Sequence, residues 1–274
     1  MIRNSKKDES VRPVLVDSHA HLELEPLFSD CAAVVDRATL AGVAFIVTVG
    51  IDIEDVERAL IVAEGYPGVY ACAGFHPHNA KDASDDSLSR MEQFARHPKV
   101  VGYGEIGLDF FRNRSPREVQ ISVFAEQLDM AKNIGKPVVI HLRDAYSEGL
   151  DMIEQAAPYP AGGVIHCFSG TKDDAQRALA LGFHISIPGT ITYKKNDAFR
   201  SIVKNLPEER ILLETDCPFL SPEPLRGKDN EPAYIVHTAT RVAEVRETSY
   251  ERICGATTVN AARLFKLPIE TDSF

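Results

Sequence analysis

One pattern repeats along the chain and limits the folds that it can adopt: a short apolar strand followed by an amphipathic helix. Eight runs are rich in apolar and β-branched residues, and most carry a Gly, His, Asp or Glu at or next to their C-terminal end. They span residues 14–17, 45–49, 69–74, 100–105, 137–141, 163–166, 183–187 and 211–215. Runs of this composition are typical of strands that are buried on both faces of a parallel sheet.

Helical patterns with recognisable ends separate these runs. In the clearest one, Ser115 is predicted as the N-cap and Pro116 as the first helical residue, with apolar positions at helical spacing before Gly135. The other predicted boundaries are Asp52 and Thr171 as N-caps, helix ends near Gly65 and Gly182, and a last helix over 257–267.

Eight strand and helix units at intervals of roughly 20 to 40 residues predict a single (β/α)8 TIM barrel, an α/β fold whose active site lies at the C-terminal ends of the strands. The alternative, an open doubly wound sheet, would carry a Gly-rich phosphate loop where this chain has Asp17-Ser18-His19-Ala20-His21. Because no linker or internal repeat interrupts the pattern, we expect one domain over 14–267. A flexible tail over 1–13 and a C-terminal tail over 268–274 flank it.

The composition excludes several classes of protein. No apolar run has the length of a membrane span, and the first 13 residues lack the apolar segment of a signal peptide. The five cysteines are scattered and form no Cys-x-x-Cys pair, which favours reduced thiols in a cytoplasmic protein. The net charge is -10, whereas a protein that binds long duplex DNA through many phosphates is expected to be basic on at least one face.

Seven side chains suited to metal binding occur where the predicted strands end. Because the C-terminal ends of barrel strands meet on one face, we expect these residues to lie close together. They are His19, His21, His76, Glu105, His141, His166 and Asp216. Neutral imidazoles and carboxylates suit a divalent ion such as zinc, manganese or cobalt, or magnesium where water completes the shell.

This set of donors exceeds what one tetrahedral ion with an open position needs, so we expect two divalent ions per chain. Glu105 is the predicted bridging carboxylate because its strand is central among the contributing ones, and Asp216 is the predicted general base. A histidine at a strand end has an alternative role in packing, and for His78 the choice is left open. Three other histidines are assigned to packing or to the surface: His97, His184 and His237.

Short motifs surround these residues along nearly the whole chain. They are Asp17-Ser18-His19-Ala20-His21, Gly74-Phe75-His76-Pro77-His78, Gly104-Glu105-Ile106-Gly107-Leu108-Asp109, His141-Leu142-Arg143-Asp144-Ala145, His166-Cys167-Phe168-Ser169-Gly170, Leu213-Glu214-Thr215-Asp216-Cys217-Pro218 and Arg226-Gly227-Lys228-Asp229-Asn230-Glu231-Pro232. In this order they resemble the TatD family of metal-dependent hydrolases, within the amidohydrolase-like barrels. The resemblance implies a divalent-metal phosphodiesterase, usually a DNase with 3′ to 5′ exonuclease action on single strands.

The resemblance also implies how magnesium, manganese or zinc ions would be held. It places one ion at His19, His21, Glu105 and Asp216, the other at Glu105, His141 and His166, and His76 near the scissile group. The family often has a basic residue at the position of Asp229, so a phosphate contact there is expected to be weaker in this chain.

Several residues near the predicted site are candidates for substrate binding. Arg112 and Arg143 are expected to bind the nonbridging phosphate oxygens, with salt bridges to Asp109 or Asp144 as the alternative. His78 is a further candidate. Five aromatic residues are candidates for stacking on nucleobases, with a place in the core as the alternative: Phe75, Phe110, Phe111, Phe168 and Tyr193.

The sequence leaves other functions open. A metal hydroxide attacks carbonyl carbon as well as phosphorus, so hydrolysis of an amide, a lactone or the ester of an aminoacyl-tRNA is the alternative. A non-enzymatic binding protein is disfavoured because none of the expected ligands is missing. We expect the partner to be single-stranded DNA or another small phosphodiester, and the protein to be a cytoplasmic monomer without membrane contact.

Overall fold

The structure, a computed structural model, describes residues 14–269, and eight parallel strands form its centre. The strands are β1 (Leu15–Ala20), β2 (Val43–Gly50), β3 (Val69–Ala73), β4 (Val100–Asp109), β5 (Val138–Arg143), β6 (Gly163–Ile165), β7 (His184–Ile187) and β8 (Ile211–Leu213). Neighbouring strands pair in sequence order from β1 to β8. The sheet forms a nearly closed barrel with helices between its strands, which confirms the predicted (β/α)8 fold.

The tail predicted over 1–13, and residues 270–274 of the predicted C-terminal tail, lie outside the described residues. The domain boundaries at 14 and 267 stay a prediction. Within the described part of the chain, no helix combines the length and the apolar character that crossing a membrane requires.

Residues at the C-terminal ends of β8 and β1 join the two edges of the sheet. The backbone oxygen of His19 accepts a hydrogen bond from the Asp216 amide at 2.9 Å. The buried Asp17 carboxylate accepts bonds from the amide and the hydroxyl of Thr215, at 2.9 and 2.5 Å. These bonds hold the histidines of β1 beside the loop that follows β8.

Nine α-helices surround the barrel within residues 14–269. They are α1 (Cys31–Leu40), α2 (Ile53–Gly65), α3 (Asp85–Ala95), α4 (Arg117–Ile134), α5 (Tyr146–Ala156), α6 (Lys172–Ala180), α7 (Asp197–Asn205), α8 (Ile235–Arg246) and α9 (Tyr250–Phe265). Short 3₁₀ segments occur at Pro77–Asp82, Gly189–Thr192, Glu208–Arg210 and Pro232–Tyr234. Asp52 and Thr171 cap α2 and α6 through their side chains, as predicted.

Two predicted helix boundaries are wrong. Ser115 does not cap α4, because its hydroxyl donates to the backbone oxygen of His78 at 2.8 Å, and Pro116 occupies the N-cap position instead. The last helix begins well before residue 257, because the side chain of Ser249 caps it. The first error comes from a contact between residues distant in sequence, whereas the second comes from a local serine cap that was overlooked.

Two layers of apolar side chains fill the molecule. The larger layer packs between the barrel and its helices. The smaller one fills the barrel interior, where strand residues such as Val47 and Val139 cluster with Leu264 and Phe265 of α9. The hydroxyl of Thr258 and the side-chain amide of Asn260 on α9 donate to the backbone oxygens of Val14 and Ile211, where β1 and β8 begin, so α9 closes the N-terminal end of the barrel. Polar side chains gather at the opposite end.

Candidate metal centre

Six strands bring the seven predicted metal-site residues into one cluster at the C-terminal end of the barrel. They are His19 in β1 and His21 just after it, His76 after β3, Glu105 in β4, His141 in β5, His166 after β6 and Asp216 after β8. Five of these residues are buried, and the side chains of His141 and Asp216 are 15% and 14% exposed. The cluster is therefore shielded from water but open on one side.

Glu105 lies at the centre of the cluster. Between β4 and β5, Gly104 pairs with Val139 and Ile106 with Ile140, so Glu105 is an extra residue in a bulge. A bulge re-aims the side chain that it carries, and β4 continues beyond the predicted end at Glu105. The Glu105 carboxylate lies 2.6 Å from His141 Nδ1, 2.9 Å from His166 Nε2, and 3.4 Å from Nε2 of both His19 and His76.

Apart from His76, the other predicted residues form two adjoining groups beside Glu105, and the rings of His19 and His166 stack where the groups meet, with their centres 3.7 Å apart. In one group, the Nε2 atoms of His19 and His21 are 3.3 Å apart, and Asp216 Oδ1 lies 3.5 Å from His21 Nε2. In the other, His141 Nδ1 lies 3.4 Å from His166 Nε2. Each group thus directs two imidazole nitrogens toward a space that also faces a carboxylate.

Three fully buried carboxylates lie beside the outer nitrogens of these rings. They are Glu23 at 2.8 Å from His21 Nδ1, Asp109 at 3.2 Å from His141 Nε2, and Glu214 at 3.4 Å from His166 Nδ1. An ionised carboxylate only accepts hydrogen bonds, so the outer nitrogens of His21 and His141, which are within hydrogen-bonding distance of Glu23 and Asp109, carry the hydrogen when these rings are neutral. The inner nitrogens then direct their lone pairs into the cluster.

Lone pairs and carboxylate oxygens at these distances repel one another unless a proton or a cation lies between them. Burial lowers the pKa of His166, but Glu105 and Glu214 outweigh it and raise that pKa well above its usual value. Burial likewise raises the pKa of Glu105, but His166 and His76 hold it well below its usual value. The cluster therefore favours positive charge at its centre, and its buried nitrogen and oxygen donors fit divalent cations.

His76 is oriented differently from the other rings. Its Nδ1 accepts a hydrogen bond from the His78 amide at 3.0 Å, so its own hydrogen lies on Nε2, which points at Glu105. Burial keeps this ring neutral by lowering its pKa to about 4. His76 therefore presents an N–H donor to the cluster rather than a lone pair.

Comparison with known proteins identifies the family. Residues 16–266 match the sequence profile of the TatD related DNase family.

The chain belongs to the TatD family of metal-dependent hydrolases.

Its TatD-family relatives cover most of the chain. The uncharacterized metal-dependent hydrolase YabD of Bacillus subtilis is 39% identical over 254 residues, which cover 93% of this chain and 100% of YabD. A protein of Cronobacter turicensis named 3′-5′ ssDNA/RNA exonuclease TatD is 38% identical over 236 residues, 84% of this chain and 90% of that protein. The crystal structure of YjjV, a TatD homolog from Escherichia coli, superposes with a TM-score of 0.88 at 34% identity, covering 93% and 98% of the two chains.

The three outer carboxylates were not predicted as part of this TatD-family site. Glu23 continues the alternation of Asp17, His19 and His21, and that spacing is the signal that could have found it. Asp109 and Glu214 stand inside recognised motifs, but only the folded chain shows which ring each one meets.

Arg112 and Arg143 border the cluster on the side of β4 and β5. Their guanidinium groups lie 5.7 and 4.1 Å from the centre of the Phe111 ring. Within residues 14–269 no salt bridge joins either arginine to Asp109 or Asp144, and the Asp109 carboxylate pairs with His78 and His141 instead. Both guanidinium groups flank an exposed aromatic ring near the cluster.

The remaining substrate-binding candidates differ in how far they are buried. His78 Nε2 lies 3.0 Å from Asp109 with a side chain that is 20% exposed, so it borders the site through that carboxylate. Phe75 and Phe168 are buried, which makes the core their role. Tyr193 is half-buried and stacks under the guanidinium group of Arg226 at 4.4 Å.

Cys167 follows the ligand candidate His166 and is half-buried, and Cys217 is buried. Burial and neighbouring carboxylates raise the thiol pKa of both residues well above its usual value. Neither thiol is therefore activated as a nucleophile.

Proposed function

We propose that this TatD-family hydrolase cleaves phosphodiester bonds of single-stranded nucleic acid, removing nucleotides from the 3′ end. The observation that carries the proposal is the set of inner imidazole nitrogens directed at the Glu105 carboxylate in a buried cluster. Relatives named 3′-5′ ssDNA/RNA exonuclease at 35% to 38% identity supply the substrate class.

The proposed centre would hold two divalent ions, magnesium, manganese or zinc. His19, His21, Glu105 and Asp216 would hold one, and Glu105, His141 and His166 would hold the other. When bound, such ions lower the pKa of a water molecule and stabilise negative charge on the phosphate. The outer carboxylates fix the ring orientations, so that the chain meets the ions with preorganised donors.

The side chains of the site have distinct proposed roles. Asp216 is the most exposed carboxylate of the cluster, and His21 and neighbouring rings outweigh burial to lower its pKa, so it is ionised and accepts the proton of the attacking water. His76 donates its Nε2 hydrogen to a phosphate oxygen near the scissile bond. Arg112 and Arg143 bind nonbridging oxygens, and His78 orients Asp109 at the same edge.

The acidic character of the protein restricts the proposed substrates. With a net charge of -10, long duplexes are disfavoured, and short single strands or small phosphodiesters are favoured. All five cysteines are free, which agrees with the proposed location in the cytoplasm. We propose a monomer, and size-exclusion chromatography with light scattering tests that state.

Metal-stripped protein reconstituted with magnesium, manganese or zinc tests the function. A single-stranded oligonucleotide labelled at its 5′ end is expected to shorten stepwise, and one labelled at its 3′ end is expected to release a labelled mononucleotide at once. An aminoacyl-tRNA and a simple phosphodiester are assayed beside them. Glu105→Ala is expected to abolish cleavage, whereas Glu64→Ala, which removes a carboxylate that pairs with the surface His97, is not.

Two results would contradict the proposal. If Glu105→Ala still cleaved the oligonucleotide, a carboxylate of Glu105 that bridges two metal ions would not be required for catalysis. If the oligonucleotide stayed intact while the aminoacyl-tRNA was hydrolysed, the substrate would be a carboxylic ester and not a nucleic-acid phosphodiester.

A further inference from the structure

Large exposed apolar side chains are rare in this molecule. Within the described residues they are Leu40 at 81% exposure, Ile61 at 63%, Phe111 at 56% and Phe219 at 51%. The two aliphatic ones lie on the outer helices α1 and α2, away from the strand ends. The two aromatic ones both lie in loops at the C-terminal end of the barrel, beside the metal-site cluster.

The ring of Phe219 stands beside the β1 group of the cluster. Its centre lies 6.0 Å from the His21 ring, in an edge-on arrangement. The backbone under it is fixed, because the fully buried side chain of Asn230 donates to the backbone oxygens of Phe219 and Thr215 at 2.7 and 2.8 Å. The loop is thus held in place while its aromatic ring faces solvent.

Phe111 is presented in the same way on a second loop. The buried Asp109 accepts a hydrogen bond from the Arg112 amide at 2.7 Å, and the buried Gln120 accepts one from the Asp109 amide at 2.8 Å. The guanidinium groups of Arg143 and Arg112 lie over the ring, at 4.1 and 5.7 Å from its centre. Phe111 is therefore held by its backbone and remains 56% exposed beside these positive charges.

The two rings lie on different sides of the barrel mouth. Phe219 follows β8 and contacts His21 at the end of β1, whereas Phe111 follows β4 and contacts Arg143 of β5. In a barrel with strand order β1 to β8, β1 and β5 are four positions apart and face each other. The carboxylate of Glu105 and the imidazoles around it lie between these two strands.

We propose that Phe219 and Phe111 are two stacking platforms that bind unpaired nucleobases on opposite sides of the scissile phosphate. This inference rests on the proposed nuclease function and adds how the substrate is held. Exposed aromatic rings stack on any base without reading its sequence. Bases paired within a duplex have no free face for such platforms, so the pair selects single strands.

The platforms also account for how an acidic protein holds a polyanion. Stacking does not neutralise phosphate charges, so it contributes affinity that does not depend on releasing counterions from phosphates. Two rings on either side of the cluster fix the strand at two points and hold the intervening phosphate near His76 and Arg143.

Binding of a 2-aminopurine oligonucleotide tests the proposal. The strand carries nonhydrolysable phosphonate linkages at its 3′ end, and the protein is loaded with manganese. Phe111→Leu and Phe219→Leu keep apolar bulk but remove the ring, and each is expected to weaken binding about 5- to 100-fold and to reduce base quenching. Phe219→Tyr retains a ring and is expected to restore most of the affinity, and Leu40→Ala and Ile61→Ala serve as exposed controls.

A matched strand with abasic sites near its 3′ end separates stacking from folding. The wild type is expected to bind it weakly, and the two leucine variants are expected to lose far less on it than on the normal strand. If the leucine variants lost affinity equally for both strands, or for neither strand, the proposal would be overturned. The proposed nuclease function would still stand if the wild type cleaved normal strands. A wild type that neither binds nor cleaves any strand would overturn the proposed function, and this inference with it.

Discussion

The position of a single hydrogen on each ring decides what the histidine cluster binds. Glu23 accepts from His21 Nδ1 at 2.8 Å through one oxygen and from Thr48 at 2.6 Å through the other. This carboxylate, together with the backbone oxygen of Val49 at 3.0 Å from the same nitrogen, fixes both the tautomer and the plane of a proposed metal ligand. Its contribution is indirect, because it contacts the ring and not the space in which an ion would lie.

The variant Glu23→Gln keeps the shape of this side chain but removes its charge. Loss of an outer partner of this kind lowers metal affinity about 10- to 100-fold. Titration calorimetry of metal-stripped protein with zinc or manganese measures the change directly, without reference to catalysis. Glu64→Gln changes a carboxylate that also pairs with a histidine, His97 at 3.3 Å, but at the surface. Equal affinities for the two variants would show that Glu23 does not orient a ligand.

His184 at the start of β7 provides a residue-scale prediction outside the cluster. Burial and the nearby Arg210 lower its pKa to about 4, whereas an unfolded chain has an ordinary histidine. The unfolded state therefore binds a proton first as the pH falls from about 6.5, and stability is lost between that value and about 4. Between pH 7.5 and 5.0 this one residue accounts for a loss of at most about 2 kcal/mol.

Urea denaturation of His184→Gln and of the wild type at both pH values checks this expectation. The variant is expected to lose less stability than the wild type over the same interval. Other groups titrate as well, so only the difference between the two proteins reports on His184. A difference of zero would show that the His184 ring binds a proton as readily in the folded protein as in the unfolded chain.

At the scale of elements, the long strand β4 supports the centre of the site. Gly107 has a φ of +147°, and a Cβ at this position would lie 1.9 Å from the backbone oxygen of His141 on β5. Only glycine allows β4 to approach its neighbour so closely in this conformation. The separation of the two strands in turn sets the distance between Glu105 and His141.

Gly107→Ala is therefore expected to lower the free energy of unfolding by about 2 to 4 kcal/mol and to weaken metal binding. Gly135→Ala is the matched control: Gly135 also has a positive φ, +71°, but no atom lies within 4 Å of the added Cβ. This control is expected to cost about 1 kcal/mol and to leave metal binding as it is. Similar losses in the two variants would mean that strand approach does not position the ligands.

The elements also show what the sequence can and cannot predict. The strands were predictable because each is a short apolar run between capped helices, and the histidines at their ends follow from the geometry of a barrel. Ser115 was misassigned because its hydroxyl bonds to the loop at His78, a contact across many residues of sequence. Glu214 was not assigned a role for the same reason, since only folding brings it to His166.

At the scale of the whole molecule, one end of the barrel is apolar and closed while the other is polar and buried. Leu264 and Phe265 of α9 belong to the cluster that fills the interior. At the opposite end lie carboxylates and imidazoles. Removing these polar and charged groups from water is unfavourable. Burying such groups without a central cation costs stability that the apolar end has to offset.

Metal binding is therefore expected to stabilise the entire fold. At an ion concentration about 100 times the dissociation constant, a ligand that binds only the native state adds about 2.7 kcal/mol. For a domain of this size that raises Tm by about 5 to 10 °C. Scanning calorimetry of metal-stripped protein before and after addition of manganese measures the shift. Glu105→Ala is expected to lose most of it, whereas Glu64→Ala is expected to keep it. If both variants shifted as the wild type does, the stabilising ions would have to bind outside the cluster around Glu105.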